Sequence, residues 1–162
     1  MLKKTFAICI IVLLLCICLG ACSDNKLSYS VGTLSSYNKY NGDLPKPAQW
    51  NTKQVIKTKE ELNSFNSEFD ISSYITEYDE AYFTHKALII CLFTYSYLGA
   101  NLTIKSIQKS ENTIQINMIE KIKRDTNYLD AIDYWVCIIE EELENVQDVN
   151  DIEINLEKKM VY

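Results

Sequence analysis

The run Ala87–Thr94 (ALIICLFT) constrains the fold more than any other part of this 162-residue chain. From Ala87 to Phe93 it contains no polar side chain other than the thiol of Cys91, and polar residues lie beyond both ends. A short continuous apolar run between polar residues is typical of a strand that is buried on both faces. The sequence therefore predicts a sheet in which this strand has no solvent-facing side.

Further strands are predicted before and after this run. Within Thr113–Ile122, apolar residues alternate with Gln115 and Asn117, so one face of that strand is expected to contact water. Tyr29, Val31, Leu34 and Tyr37 are expected to add a short strand to the polar stretch near the start. The other predicted strands are Gln54–Ile56, Asn101–Gln108, Ile132–Glu140 and Ile152–Leu156.

Helical signals are confined to the segment before the apolar run. Thr58 precedes Glu61 by three residues, which is the spacing of a capping box. Leu62, Phe65 and Phe69 then recur at helical spacing, and together these signals predict a helix over Lys59–Glu68 that packs through this stripe. A second short helix is predicted at 79–84, with Tyr82 and Phe83 directed inward.

Together these elements predict the α+β class: a mostly antiparallel sheet, or meander, with one or two short N-terminal helices packed on it. In Ile132–Glu140, Trp135 shares a face with Cys137 and Ile139. Because both faces of that strand are apolar, we expect Trp135 to be deeply buried, between this strand and the capped helix.

The first 22 residues have the pattern of a secretory signal. Lys3 and Lys4 precede an apolar stretch of 16 residues, from Phe6 to Ala21, and Leu19-Gly20-Ala21-Cys22 closes the segment. This ending resembles the lipobox of bacterial lipoproteins, and the resemblance implies that Cys22 carries the lipid and becomes the first residue of the mature chain. A membrane-spanning helix would need about 20 apolar residues. The pattern also leaves open an uncleaved signal anchor or a cleaved, soluble secreted form.

The signal divides the chain into a signal peptide (1–21), a lipid-anchored tether with a short strand (22–50) and one α+β domain (51–162). The expected location is the extracytoplasmic face of the cell membrane. Removal of Lys3 and Lys4 leaves 14 basic against 22 acidic residues, a net charge of -8. This charge argues against nucleic acid as a partner, because nucleic acid binding requires a basic surface.

Residues with catalytic or metal-binding chemistry are few. The chain contains none of the common nucleophile, phosphate-loop or zinc motifs, and we expect neither a cofactor nor a metal. Cys91 and Cys137 are interpreted as buried thiols, with a disulfide as the alternative. His85, near Asp79 and Glu80, is interpreted as a surface or capping residue rather than a general base. The acidic run Glu140–Asp151 is interpreted as a solvated strand end rather than a calcium site.

Three tyrosines are the better candidates for a binding surface. Tyr95 and Tyr97 are expected in a loop after the apolar strand, and Tyr128 in the polar connection before Trp135. Tyrosine in exposed loops offers amphipathic contact area at low entropic cost, which suits an envelope protein or a glycan as partner. The alternative is that these rings lie flat over the edge of the core.

Residues 54–156 also resemble the C-terminal domain of PrcB-type protease-complex accessory proteins. The resemblance rests on the order of four segments: QVIKTKEELNSF, YFTHKALIICLF, LTIKSIQKSENTIQINMIE and DAIDYWVCIIE. Where that family often has Ser-Gly-Gly, this chain has a single glycine, Gly99. The resemblance implies an accessory or binding domain without enzymatic activity. The sequence thus predicts a non-catalytic, membrane-anchored binding module, with a surface hydrolase of unrecognised type as the alternative.

Overall fold

The computed structural model describes residues 27–36, 50–97, 101–123 and 130–161. The described elements are seven strands, two helices and two 3-10 turns, at Ser72–Tyr74 and Tyr82–Thr84. The helices are α1 (Lys59–Phe69) and α2 (Leu143–Val146). The strands are β1 (Ser30–Ser36), β2 (Thr52–Ile56), β3 (Lys86–Tyr97), β4 (Leu102–Ser110), β5 (Thr113–Lys123), β6 (Asp130–Glu142) and β7 (Asp151–Val161).

The strands form two sheets. The four-stranded sheet has the order β1-β6-β3-β2 and the three-stranded sheet has the order β4-β5-β7. Neighbouring strands are antiparallel except β5 and β7, which are parallel and pair along their whole length. The longest antiparallel pairing joins β3 to β6 and places Cys91 directly opposite Cys137.

Both faces of β3 and β6 are covered, as the apolar run predicted. One face packs against α1 and the segment after it, where Leu62, Phe65, Ile71 and Tyr78 are buried with Leu88. The opposite face packs against the three-stranded sheet. The residues buried between the sheets include Ile89, Cys91, Cys137 and Ile139 from one side and Ile107, Ile114, Ile116, Met118 and Ile152 from the other.

Hydrogen bonds connect the two sheets at both edges. Just before β1, the N–H of Leu27 donates to the carbonyl oxygen of Ile107 in β4 at 3.1 Å. At the other edge, the ammonium group of Lys53 in β2 donates to the carbonyl oxygen of Ile152 in β7. The core between the sheets is therefore bounded by hydrogen bonds to the backbone on both sides.

The predicted α+β class with a single sheet is wrong. The described residues are mostly β, they form two sheets, and they include only one helix of seven or more residues. Alternation of apolar residues identified the strands but could not tell which strands pair, since pairing joins distant parts of the chain. α2 and the turn after it direct β7 beside β5 in the second sheet, where it runs parallel to its neighbour.

The predicted first helix is confirmed, and its N-terminus has the expected cap. The N–H of Glu61 donates to Oγ1 of Thr58 at 3.1 Å. The Glu61 carboxylate accepts from the N–H of Lys57 at 2.6 Å, one residue earlier than the usual capping-box partner. The predicted second helix is only the 3-10 turn Tyr82–Thr84, in which Phe83 is buried.

β1, from the segment expected to be a tether, is part of the four-stranded sheet and pairs with β6. Its register shifts between Val31 and Thr33, so Gly32 is the extra residue of a bulge. A Cβ at Gly32 would lie 2.5 Å from the hydroxyl oxygen of Tyr78, which itself donates to Glu140 at 3.1 Å. Glycine is therefore the residue that this close approach allows.

Trp135 is buried, as expected, but not against the helix. It is 6% exposed and lies parallel to Phe93, its partner on β3, with the ring centroids 6.5 Å apart. Residues alternate between the two faces of a strand, so Trp135 shares the face of Cys137, which packs on the second sheet. The tryptophan buried on the helix side is Trp50.

We expect Trp135→Ala to lower the free energy of unfolding by about 3–5 kcal/mol, because the change removes a large buried side chain and leaves a cavity. Urea denaturation followed by circular dichroism measures this effect. Val31→Ala is the control: Val31 is 43% exposed, and we expect a change of less than about 0.5 kcal/mol. Equal midpoints for wild type and the Trp135 variant would contradict the assigned burial.

Candidate binding surface

The structure places Tyr95 and Tyr97 within β3, near its end, rather than in a loop after it. Tyr95 pairs with Asp133 of β6, and Tyr97 pairs with Asp130. Tyr128 lies outside the described residues, two positions before Asp130 in the chain. The pairing of β3 with β6 therefore brings residues about 35 positions apart in sequence to one end of the sheet. We call this region, with Glu120 and Lys158 from the second sheet, the tyrosine end.

Tyr95 is held by a buried carboxylate. Its hydroxyl donates to Oε2 of Glu120 in β5, and Glu120 is only 1% exposed. Lys158 is the neighbour of Glu120 on β7, and its ammonium nitrogen lies 6.0 Å from the centroid of the Tyr95 ring. A buried carboxylate is costly unless it is hydrogen-bonded, and the Tyr95 hydroxyl provides this bond. The Tyr95 hydroxyl is therefore hydrogen-bonded within the domain.

An aromatic pair lies beside Tyr95 on the same face of the sheet. Phe93 is half-buried and stacks on Trp135, with 14° between the ring planes. The neighbouring carboxyl group, Asp133, is half-buried, and burial raises its pKa above the ordinary value. The tyrosine end therefore has an aromatic interior next to carboxylates.

His85 lies at the opposite end of β3 from Tyr95. Ten residues of extended strand separate them, which is about 30 Å. His85 is exposed, in an open cleft of about 310 Å³ that also contains Glu142 and Glu144. The Glu142 carboxylate accepts from the Lys86 ammonium at 2.6 Å, and the Thr84 hydroxyl donates to the carbonyl oxygen of Ala81 at 2.7 Å. The Glu142 carboxylate and the Thr84 hydroxyl are therefore hydrogen-bonded to other groups and not to the His85 imidazole.

Asp79 does not orient His85, because its carboxylate accepts from the N–H of Tyr82 at 2.9 Å. Members of the acidic run likewise have separate partners. Glu141 is buried and accepts from Nδ2 of Asn145 at 2.8 Å, and Asp148 accepts from Lys109. Among residues 27–36, 50–97, 101–123 and 130–161, no group of three or more His, Cys, Asp or Glu side chains could hold a metal ion.

Cys91 and Cys137 are free, buried thiols on the paired neighbouring strands β3 and β6. Burial raises the pKa of both, that of Cys137 to about 12. The thiolate is the nucleophilic form of cysteine, so at neutral pH these side chains act as small apolar groups of the core.

A polar surface on the outer face of the second sheet was not predicted as a site. Nδ2 of Asn117 donates to Oγ of Ser106 at 3.1 Å, and its Oδ1 accepts from Nδ2 of Asn155 at 3.2 Å. These side chains line a concavity of about 390 Å³. Alternation in β5 predicted that Asn117 contacts water, but only the strand pairing shows that Ser106 and Asn155 extend it into a ladder of hydrogen bonds. We call these three residues the amide ladder.

No protein-family model, curated protein or solved structure matches this chain. The similarity to PrcB-type accessory domains therefore stays a prediction. In the part of the chain that the structure describes, no helix has both the length and the apolar character needed to cross a membrane.

We expect Tyr95→Phe to lower the free energy of unfolding by about 1–3 kcal/mol, because the buried Glu120 carboxylate loses its hydroxyl donor. Tyr29→Phe makes the same chemical change in a half-buried tyrosine before β1 and should cost less than about 0.5 kcal/mol. Urea denaturation of both variants and wild type provides the comparison. If the two variants lose the same stability, the Tyr95–Glu120 hydrogen bond is not stabilising.

Proposed function

We propose that this protein is a lipid-anchored, non-catalytic binding or accessory module on the extracytoplasmic face of the cell membrane. Its partner is an envelope protein or a glycan. The observation that carries the proposal is the pairing of β3 with β6. This pairing places Tyr95 and Tyr97 at the same end of the domain as Asp130, which follows Tyr128 by two positions in the chain. Tyrosine is enriched at binding interfaces because it offers a large contact area and a polar tip.

The roles of the three tyrosines differ within this proposal. Tyr95 supports the surface from inside, because its hydroxyl is bonded to the buried Glu120. Tyr97 and Tyr128 are the residues proposed to contact the partner. The amide ladder offers a second polar surface, and its side-chain oxygens and nitrogens suit the hydroxyl groups of a glycan.

One observation favours the hydrolase alternative: His85 shares its cleft with two carboxylates, Glu142 and Glu144. General acid–base chemistry would need one of them to hold the imidazole within hydrogen-bonding distance. No described side chain donates a hydrogen bond to the His85 imidazole or accepts one from it, and Glu142 is bonded to Lys86. The geometry therefore supports the binding module better than the hydrolase.

The anchor is tested at Cys22. We expect Cys22→Ser to leave the protein unprocessed with its signal attached, or to release it from membranes, because serine cannot form the thioether to the lipid. Detergent partitioning and the mass of the processed chain measure both outcomes. Cys18→Ser, four residues earlier in the apolar stretch, is the matched control and should be processed normally. Normal processing and unchanged partitioning of the Cys22 variant would rule out lipidation at this residue.

The binding surface is tested by cross-linking the full chain in its membrane to envelope components. We expect the double change Tyr97→Ala with Tyr128→Ala to lose the captured partner, and His85→Ala, at the other end of β3, to keep it. Tyr95 is left intact so that the bond to Glu120 is preserved, and the melting temperature of each variant serves as the folding control. Loss of a hydrolytic activity in the His85 variant alone would instead favour the hydrolase.

A further inference from the structure

β7 is the edge strand of the three-stranded sheet. One side pairs with β5 from Asp151 to Val161. On the other side, Lys53 of β2 donates to the carbonyl oxygen of Ile152 near the start of the strand. No described strand flanks β7 beyond that point, so its second half presents a strand edge on the outer side. An edge of this kind is a template for pairing with another chain.

The second half of β7 also carries exposed apolar side chains. Leu156 is 38% exposed and Met160 is 55% exposed, and they are two of the three exposed large hydrophobic residues in the described part of the chain. Both are an even number of residues from Ile152, so they share the face that packs on the core. Glu157 and Lys159 alternate with them on the outer face.

The allowed registers for two copies of β7 are few. In an antiparallel pair, two opposing residues either both direct their N–H and C=O groups toward the partner strand or both direct them away. Adjacent residues of one strand direct these groups to opposite sides, so a residue cannot lie opposite its own neighbour in sequence. In a two-fold dimer, one residue of β7 must therefore lie opposite the same residue of the second copy. A register centred on Asn155 opposes Glu153 with Glu157, and one centred on Glu157 opposes that residue with itself. Such like-charge pairs are destabilising.

A register centred on Lys158 satisfies the side chains on both faces. It places Glu157 of each copy opposite Lys159 of the other, giving two opposite-charge pairs. It also places each Leu156 opposite Met160, which covers the exposed apolar residues. Lys158 lies opposite itself in this register, and each ammonium group lies over its own Tyr95 ring. The two opposite-charge pairs offset this one like-charge pair, whereas the register centred on Glu157 has a like-charge pair and no opposite-charge pair. The register centred on Leu156 would instead place Met160 opposite Ile152, where Lys53 already occupies the edge.

We propose that the protein forms a two-fold dimer through antiparallel pairing of β7 with β7 of a second copy, in the register centred on Lys158. The two three-stranded sheets then join into one six-stranded sheet. This dimer shares Lys158 with the tyrosine end, but it does not involve Tyr97, Tyr128 or the partner proposed above.

Charge reversal tests the register. Lys159→Glu opposes two glutamates across the dimer axis, and Glu157→Lys opposes two lysines. In detergent, sedimentation velocity of the full chain should show wild-type dimers and a dissociation constant at least about tenfold higher for each single variant. A mixture of the two variants should restore dimers, because each lysine pair of one copy then lies opposite a glutamate pair of the other.

The control for Glu157→Lys is Lys105→Met. Within one copy, Lys105 pairs with Glu157 at 3.0 Å, so this variant breaks the same ion pair without changing the charge on β7. It should dimerise like wild type. Far-UV circular dichroism checks that each variant is folded. A monomeric wild type, or a mixture that associates no better than the single variants, would overturn the proposal. The proposal is supported only if the mixture of the two variants dimerises more tightly than either variant by itself.

Discussion

Burial of β3 on both faces is the constraint on which the rest of the structure depends. A strand with apolar side chains on both sides cannot lie at the surface of a sheet that faces water. β6 has the same character, and the two strands pair side by side at the middle of their sheet. One layer must then cover each face, and the chain supplies α1 with its following segment on one side and the second sheet on the other.

Local features of the fold could be read from the sequence, because they depend on residues near one another. Thr58 and Glu61 gave the start of α1, and the alternation of Ile114, Ile116 and Met118 gave the buried face of β5. Strand pairing could not be read in the same way. No residue pattern near β7 predicts that this strand runs parallel to β5. The surroundings of Trp135 likewise depend on which layer covers its face of the sheet.

The candidate site likewise has a part that the sequence predicts and a part that depends on tertiary structure. The sequence identified Tyr95, Tyr97 and Tyr128 from their residue type and polar surroundings, but treated them as equivalent. Packing of the two sheets separates them, because it brings Glu120 of β5 under Tyr95. Glu120 itself gave no signal: in the sequence it is one more acidic residue at the end of a strand. Its burial depends on β3 and β5 facing each other across the core, which is a tertiary property.

Glu120 also explains why this end of the domain has one defined geometry. Replacing a buried charged group with an apolar residue of similar volume is often neutral or stabilising, so stability alone does not require Glu120. A carboxylate at this position instead requires a hydrogen-bond donor in a fixed place. Tyr95 of β3 is that donor, and Lys158 of β7 lies over the Tyr95 ring, so a shift of β3 would leave the buried carboxylate without its donor. The polar contact therefore fixes the position of the end of β3, and with it the backbone that carries Tyr97.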